Sequence, residues 1–98
     1  MRNGITDVVY SFYDEVSNNS MQYYVLPGVE WSERVFKSLV AQIAVGEPRE
    51  YSFRLVGRFD GLMFLDAEKV LVEANEAGIP VPKVLRGEDY VEKVADNV

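Results

Sequence analysis

The sequence predicts an α+β fold: an antiparallel sheet of three to four strands, two helices packed mainly on one face, and a C-terminal tail or short helix. Three observations carry this. Runs of β-branched and aromatic residues near 7–14 and 50–65 have strand character. Two other segments repeat apolar residues at helical spacing. Hairpin signals stand where a parallel sheet would show regular βαβ alternation.

The first strand is Asp7-Val-Val-Tyr-Ser-Phe-Tyr-Asp14. Val8, Tyr10 and Phe12 share one face, and Val9, Ser11 and Tyr13 the other. The polar stretch Glu15 to Ser20 is a turn, and Met21 to Leu26 is a second strand that closes a hairpin and stops at Pro27-Gly28. Ser32 is the expected N-cap of the first helix, with Glu33 in its first turn and Trp31 and Phe36 at staple spacing. Val35, Phe36, Leu39, Val40 and Ile43 form its apolar stripe; Gly46 and Pro48 terminate it.

Asp60-Gly61, between two strand-like runs, is the signature of a two-residue type I′ hairpin. That loop pairs Phe59 with Leu62, Gly57 with Phe64 and Leu55 with Asp66, and lets Phe64 cover the glycine. Strict alternation puts Tyr51, Phe53, Leu55, Gly57 and Phe59 on one face, and Ser52, Arg54, Val56, Arg58, Met63 and Leu65 on the other. Asp66 caps a second helix from Ala67 to about Ala77, which Gly78 ends. Ile79-Pro80-Val81-Pro82 is extended. A short helix over Glu88 to Ala95, anchored by Tyr90, Val91 and Val94, is a candidate. The expected organisation is one domain over 1–82 with an acidic extension over 83–98.

The chain of 98 residues contains no His and no Cys. This removes thiol chemistry, disulfides, the commonest metal ligand and the commonest general acid/base. Asp14-Glu15 is an adjacent acidic pair, but neighbours on a strand point to opposite faces, and turn chemistry accounts for Asp60. No phosphate loop, nucleophile elbow or EF-hand spacing is present. The expectation is a non-enzyme without cofactor or metal. The N-terminus lacks a basic start and apolar run, and no stretch reaches the roughly 20 apolar residues of a membrane span. The expected address is therefore cytoplasmic.

The net charge of −6 is unevenly spread. Residues 1–33 carry −4, residues 34–58 carry +3 and residues 59–98 carry −5. The basic middle makes Arg49, Arg54, Arg58 and Lys37 candidate phosphate contacts, with Tyr13, Tyr23 and Tyr24 as candidate stacking groups for single-stranded nucleic acid. Alternation separates Tyr51, Phe53 and Phe59 from Arg54 and Arg58, so these are not expected to form one platform. The acidic third offers Glu68, Glu73, Glu76, Glu88, Asp89 and Glu92 as an alternative surface for a basic partner. Val56, Met63 and Leu65 leave an apolar patch, a candidate for homodimerisation.

Pro48-x-x-Tyr51-x-Phe53-x-Leu55-x-Gly57-x-Phe59-Asp60 resembles a segment of the small non-structural protein of gokushovirus-type microviruses, which are single-stranded DNA bacteriophages. Tyr10-x-Phe12-Tyr13-Asp14 and Glu33-Arg34-x-Phe36 fall upstream in matching order. The similarity spans roughly residues 8–61, and the tail from Pro80 departs from it. The resemblance implies a non-virion protein of the host cytoplasm, active during phage DNA replication through host or phage replication proteins and through weak contact with single-stranded DNA. No catalytic residues come with the family. The alternative reading is an acidic inhibitor that occupies a host protein's nucleic-acid-binding site.

Overall fold

A computed structural model describes residues 5–42 and 46–90. β1 (Thr6–Asp14) and β2 (Asn19–Gly28) form an antiparallel hairpin. Its turn is built by Asp14, whose carboxylate accepts the Val16 and Ser17 amides at 2.9 and 3.3 Å. Asn18 takes the left-handed conformation at φ 61° and accepts the Tyr13 hydroxyl through Oδ1. The second strand runs longer at both ends than expected and carries Pro27 within it, which an edge strand tolerates.

A single turn of 3-10 helix, Val29–Trp31, leads into α1 (Ser32–Gln42). Ser32 does not cap this helix as expected. It is helical and buried. Trp31 lies at the surface beneath the Arg34 guanidinium, 4.9 Å from the ring centre. Ile43, expected in the helix stripe, falls outside the described residues.

β3 (Tyr51–Asp60) pairs with β1, and β4 (Met63–Asp66) pairs with the C-terminal half of β3. The hairpin register is Asp60 with Met63 and Phe59 with Phe64. The loop is therefore Gly61-Leu62, one residue later than the sequence suggested, with Gly61 at φ 62°. The shift displaces the ladder by two residues, so each β4 side chain keeps its expected face relative to its β3 partner. Phe64 still reaches Gly57, now diagonally: a Cβ at Gly57 would meet the Phe64 ring and the Leu65 carbonyl oxygen.

α2 (Ala67–Ala77) has the expected caps. The Asp66 carboxylate accepts the Lys69 amide at 3.0 Å, and Gly78 is left-handed at φ 72°. After the proline strap, β5 (Val84–Arg86) pairs with Ser52, Phe53 and Arg54 of β3. β4 and β5 therefore occupy one edge of β3 in succession, with α2 inserted between them. The sheet has five strands and is not closed. Residues 84–90, expected in an extension, belong to the domain. Leu85 packs on the core and the Tyr90 ring meets Phe36 edge-on at 5.5 Å. The expected short helix is a 3-10 turn, Gly87–Tyr90, and Val91 to Ala95 lie outside the described residues.

Both helices cover one face of the sheet. There Val8, Tyr10 and Phe12 of β1 meet Tyr51, Phe53 and Leu55 of β3, with Phe36 and Leu39 from α1 and Val70 and Ala74 from α2. Tyr10 stacks on Phe53 at 4.9 Å, and Phe36 stacks on the same ring at 5.5 Å. The Tyr10 hydroxyl donates to the Pro82 carbonyl at 2.7 Å, tying the strap to the central strand. Burial pushes that phenol up to about 12.

The decisive local feature is a β-bulge. Tyr10 pairs with Leu55 and Val9 pairs with Gly57, leaving Val56 as an extra residue on β3. Alternation holds from Tyr51 to Leu55 and is reversed beyond Val56. Arg58, opposite Val8, is thereby turned to the helix side, while Gly57 and Phe59 join the face that carries Arg54. That reverses the expected placement of Arg58 and Phe59.

Candidate binding surface on the open sheet face

The face without helices displays side chains from all five strands. Val9, Ser11 and Tyr13 come from β1, and Tyr23 and Val25 from β2. Ser52, Arg54, Gly57 and Phe59 come from β3, Phe64 from β4 and Arg86 from β5. Val9, Ser11, Ser52 and Gly57 form its buried floor. Above them stand Tyr23 at 60% exposure, Val25 at 58%, Phe64 at 44% and Phe59 at 42%. Phe59 and Phe64 meet edge to face at 5.1 Å. Large apolar groups grouped on one open face are the kind of exposure that marks a contact surface.

One end of this face carries a charged cluster. Glu15, at the start of the hairpin turn, accepts the Ser52 hydroxyl at 2.5 Å and Nη2 of Arg54 at 2.6 Å. The Glu15 amide bonds the Glu50 carbonyl at 2.8 Å, holding the turn against β3. The Ser52 hydroxyl above all, then Arg54 and the field of Arg86, hold the Glu15 carboxyl below its ordinary value. The guanidinium of Arg54 covers the Tyr13 ring at 4.1 Å. Arg54 and Arg86 at this end are matched by Glu15 and by Asp14 in the same turn, in a chain that is acidic overall.

The expected basic strip is not assembled. Arg54 is on the open face. Arg58 is under α2, its side chain 11% exposed, with Nε donating to the Thr6 carbonyl at 3.0 Å and Nη1 facing Glu73 at 3.4 Å. Arg49 is exposed near the start of β3 and pairs with Glu47 at 3.0 Å. Lys37 is on α1 beside Glu30, Glu33 and Arg34, in the helix layer rather than on the open face. Of the three tyrosines, Tyr13 and Tyr23 lie on the open face with Arg54. Tyr24 turns to the helix side, where its ring lies 6.1 Å from Phe53.

The other candidate sets are also divided. Glu68 and Glu76 are exposed on α2, and with Leu65, Asp66, Lys69, Val72 and Glu73 they line a shallow groove. Glu73 is engaged by Arg58. Glu88 and Asp89 are exposed on the 3-10 turn after β5, a separate element, and Glu92 lies outside the described residues. The self-association patch does not form as expected: Leu65 packs on the core, Val56 is the half-buried bulge residue, and Met63 alone is widely exposed.

Phe59, Phe64, Val25 and Arg86 were not singled out by sequence as contact residues. Strict alternation places Phe59 in the core, and only a bulge, which no residue type marks here, reverses it. Arg86 sits in a three-residue strand too short to show a period.

Among the described residues no group of three or more His, Cys, Asp or Glu could hold a metal ion, and no helix is long and apolar enough to cross a membrane. The chain matches no family model, no curated protein and no solved structure.

Proposed function

We propose that the protein is a non-catalytic accessory factor in the replication of a single-stranded DNA phage genome. It acts in the host cytoplasm through protein partners and contacts single-stranded DNA weakly with the open sheet face. The setting comes from the resemblance to the gokushovirus-type non-structural protein. The observation that supports the binding role is the bulge at Val56, which puts Phe59 and Phe64 on the face of Tyr13, Tyr23 and Arg54. Exposed aromatics on a sheet offer stacking surfaces, and Arg54 and Arg86 offer phosphate contacts. With so few cations and a net charge of −6, affinity is weak and confined to this face.

The test is fluorescence anisotropy of a labelled thymidine oligonucleotide at two salt concentrations. Affinity falls as salt rises, and Phe59→Ala with Phe64→Ala abolishes the signal. A flat titration at low salt sinks the DNA component. A pull-down from host lysate, with and without nuclease, then separates protein partners from DNA-bridged ones.

A second reading has its own observation. The α2 groove joins Glu68, Glu76 and Asp66 to the apolar Leu65 and Val72, which suits a basic segment of a host protein. In that case charge reversal of Glu68 and Glu76 removes binding, while Arg54→Glu leaves it intact.

A further inference from the structure

β2 is the only described element without a charged residue, in a chain that is 27% charged. It is also the free edge of the sheet: it pairs with β1 on one side and with no strand on the other among the described residues. An edge of this kind leaves backbone N–H and C=O groups available for another strand. Proteins usually protect such edges with lysines, prolines or bulges. Here the protection lies only at the ends. Met21 is the extra residue of a bulge, because Phe12 pairs with Gln22 and Tyr13 with Ser20, and Pro27 lies at the far end. Between them Gln22 to Leu26 form a regular, uncharged ladder of five residues.

We infer that this edge pairs with the same edge of a second copy, antiparallel about a two-fold axis through Tyr24. The axis is perpendicular to the sheet, so the open faces of the two copies lie on the same side. Antiparallel partners share a face, so the register is centred on a residue, and Tyr24 is the middle of the regular stretch. This centring sets Tyr23 of each copy against Val25 of the other, an aromatic against a β-branched side chain, the kind of cross-strand pair that stabilises sheets. Both residues stand exposed in the single chain.

The occupant is a second copy because the stretch is complementary to itself in this register: its two large exposed apolar side chains, Tyr23 and Val25, each meet the other. Each chain carries −6, so two copies repel wherever charged elements meet. β2 is the one strand along which they meet with no like-charged side chains opposed. The contact is small beside the roughly 800 Å² per partner of a stable interface, so the dimer is concentration-dependent. Its salt response is opposite in sign to that of DNA binding: screening weakens the repulsion between two acidic chains and tightens the dimer. The inference does not depend on the proposed ligand, though pairing would join two open faces into one longer surface.

Sedimentation equilibrium across a concentration series, at low and high salt, tests it. The full chain associates to a dimer that tightens with salt. Val25→Lys and Tyr23→Lys in one chain set lysines opposite each other and weaken the dimer about tenfold or more. Met63→Lys, on the hairpin at the other edge, leaves it unchanged. Circular dichroism of each variant establishes that the fold persists. Because the chain has no Cys, Tyr23→Cys with Val25→Cys gives a second readout: mild oxidation yields a covalent dimer. A monomeric mass throughout the series overturns the proposal and leaves the edge to a strand of another protein. A dimer indifferent to the paired lysines overturns it as well.

Discussion

The Arg54 guanidinium lies over the Tyr13 ring, 4.1 Å from its centre, on the sheet face that no helix covers. The two residues sit on adjacent strands, where Tyr13 pairs with Ser52 and Ser11 with Arg54. Arg54 is thereby held flat on the sheet by an aromatic beneath it and a carboxylate at its end. Arg58, four residues along the same strand, has a different environment, enclosed between Thr6 and α2. The two arginines are separable by mutation.

Arg54→Glu abolishes oligonucleotide binding and costs about 1 kcal/mol of stability, since its partners remain partly open to water. Arg58→Glu sets a carboxylate against Glu73 in a nearly closed site and leaves the Thr6 carbonyl without its donor. It costs about 3 kcal/mol. Urea denaturation with anisotropy on the same samples checks the pair. Equal stability losses in the two variants would contradict the bulge that separates them.

That bulge also marks what the sequence could and could not disclose. Helix α2 was legible to both caps, because Asp66 and Gly78 are residues whose chemistry fits only those positions. Tyr10, Phe12, Tyr51 and Phe53 were legible as one face, because a period of two holds over an unbroken ladder. Val56 ends that ladder while being an ordinary strand residue, so the reversal beyond it has no local signal. The displaced hairpin has a similar origin. Gly61 supplies the positive φ as the first loop residue rather than the second, and Asp60 is free to pair with Met63. β5 went unread because its place is set by β3, a partner thirty residues away in sequence.

Glu15 gives the fold a pH dependence of definite sign. Its folded value lies below the ordinary 4.5, mainly through the Ser52 hydroxyl and then through Arg54. A depressed carboxyl stabilises the folded state above its unfolded value, and that contribution is lost as pH falls through the folded value. Glu15→Gln is therefore less stable than the native chain at neutral pH. The two converge as acid is added below about pH 4.5. Urea midpoints measured from pH 7 downward check this, and a gap that persists unchanged into acid would exclude the carboxylate as its source.

Tyr10→Phe removes the hydroxyl that joins β1 to the proline strap. The Pro82 carbonyl loses its donor, while the ring stack on Phe53 remains. The expected cost is about 1–2 kcal/mol, the range for leaving buried polar groups unpaired. Because the lost bond ties the strap over residues 79–82 to β1, amide exchange accelerates first near Val81 and Lys83. A uniform acceleration across the sheet would place the hydroxyl's role in global stability instead.

Gly57 and Gly61 make opposite demands, although each is a glycine of the same hairpin. At Gly61 a side chain meets nothing within 4 Å, but φ is 62°, so alanine carries only a backbone penalty of about 1 kcal/mol. Asparagine, which tolerates the left-handed region, carries less. At Gly57 the space is already occupied by the Phe64 ring and the Leu65 carbonyl oxygen. A ring end can swing away, but a backbone carbonyl in the β3–β4 ladder cannot move without breaking the pairing of Gly57 with Asp66. Gly57→Ala therefore costs about 2–3 kcal/mol by overpacking. Pairing it with Phe64→Ala recovers only the part owed to the ring. Thermal melts of the two single variants and the double variant test this, and full recovery in the double variant would show that Phe64 alone fills the space above the glycine.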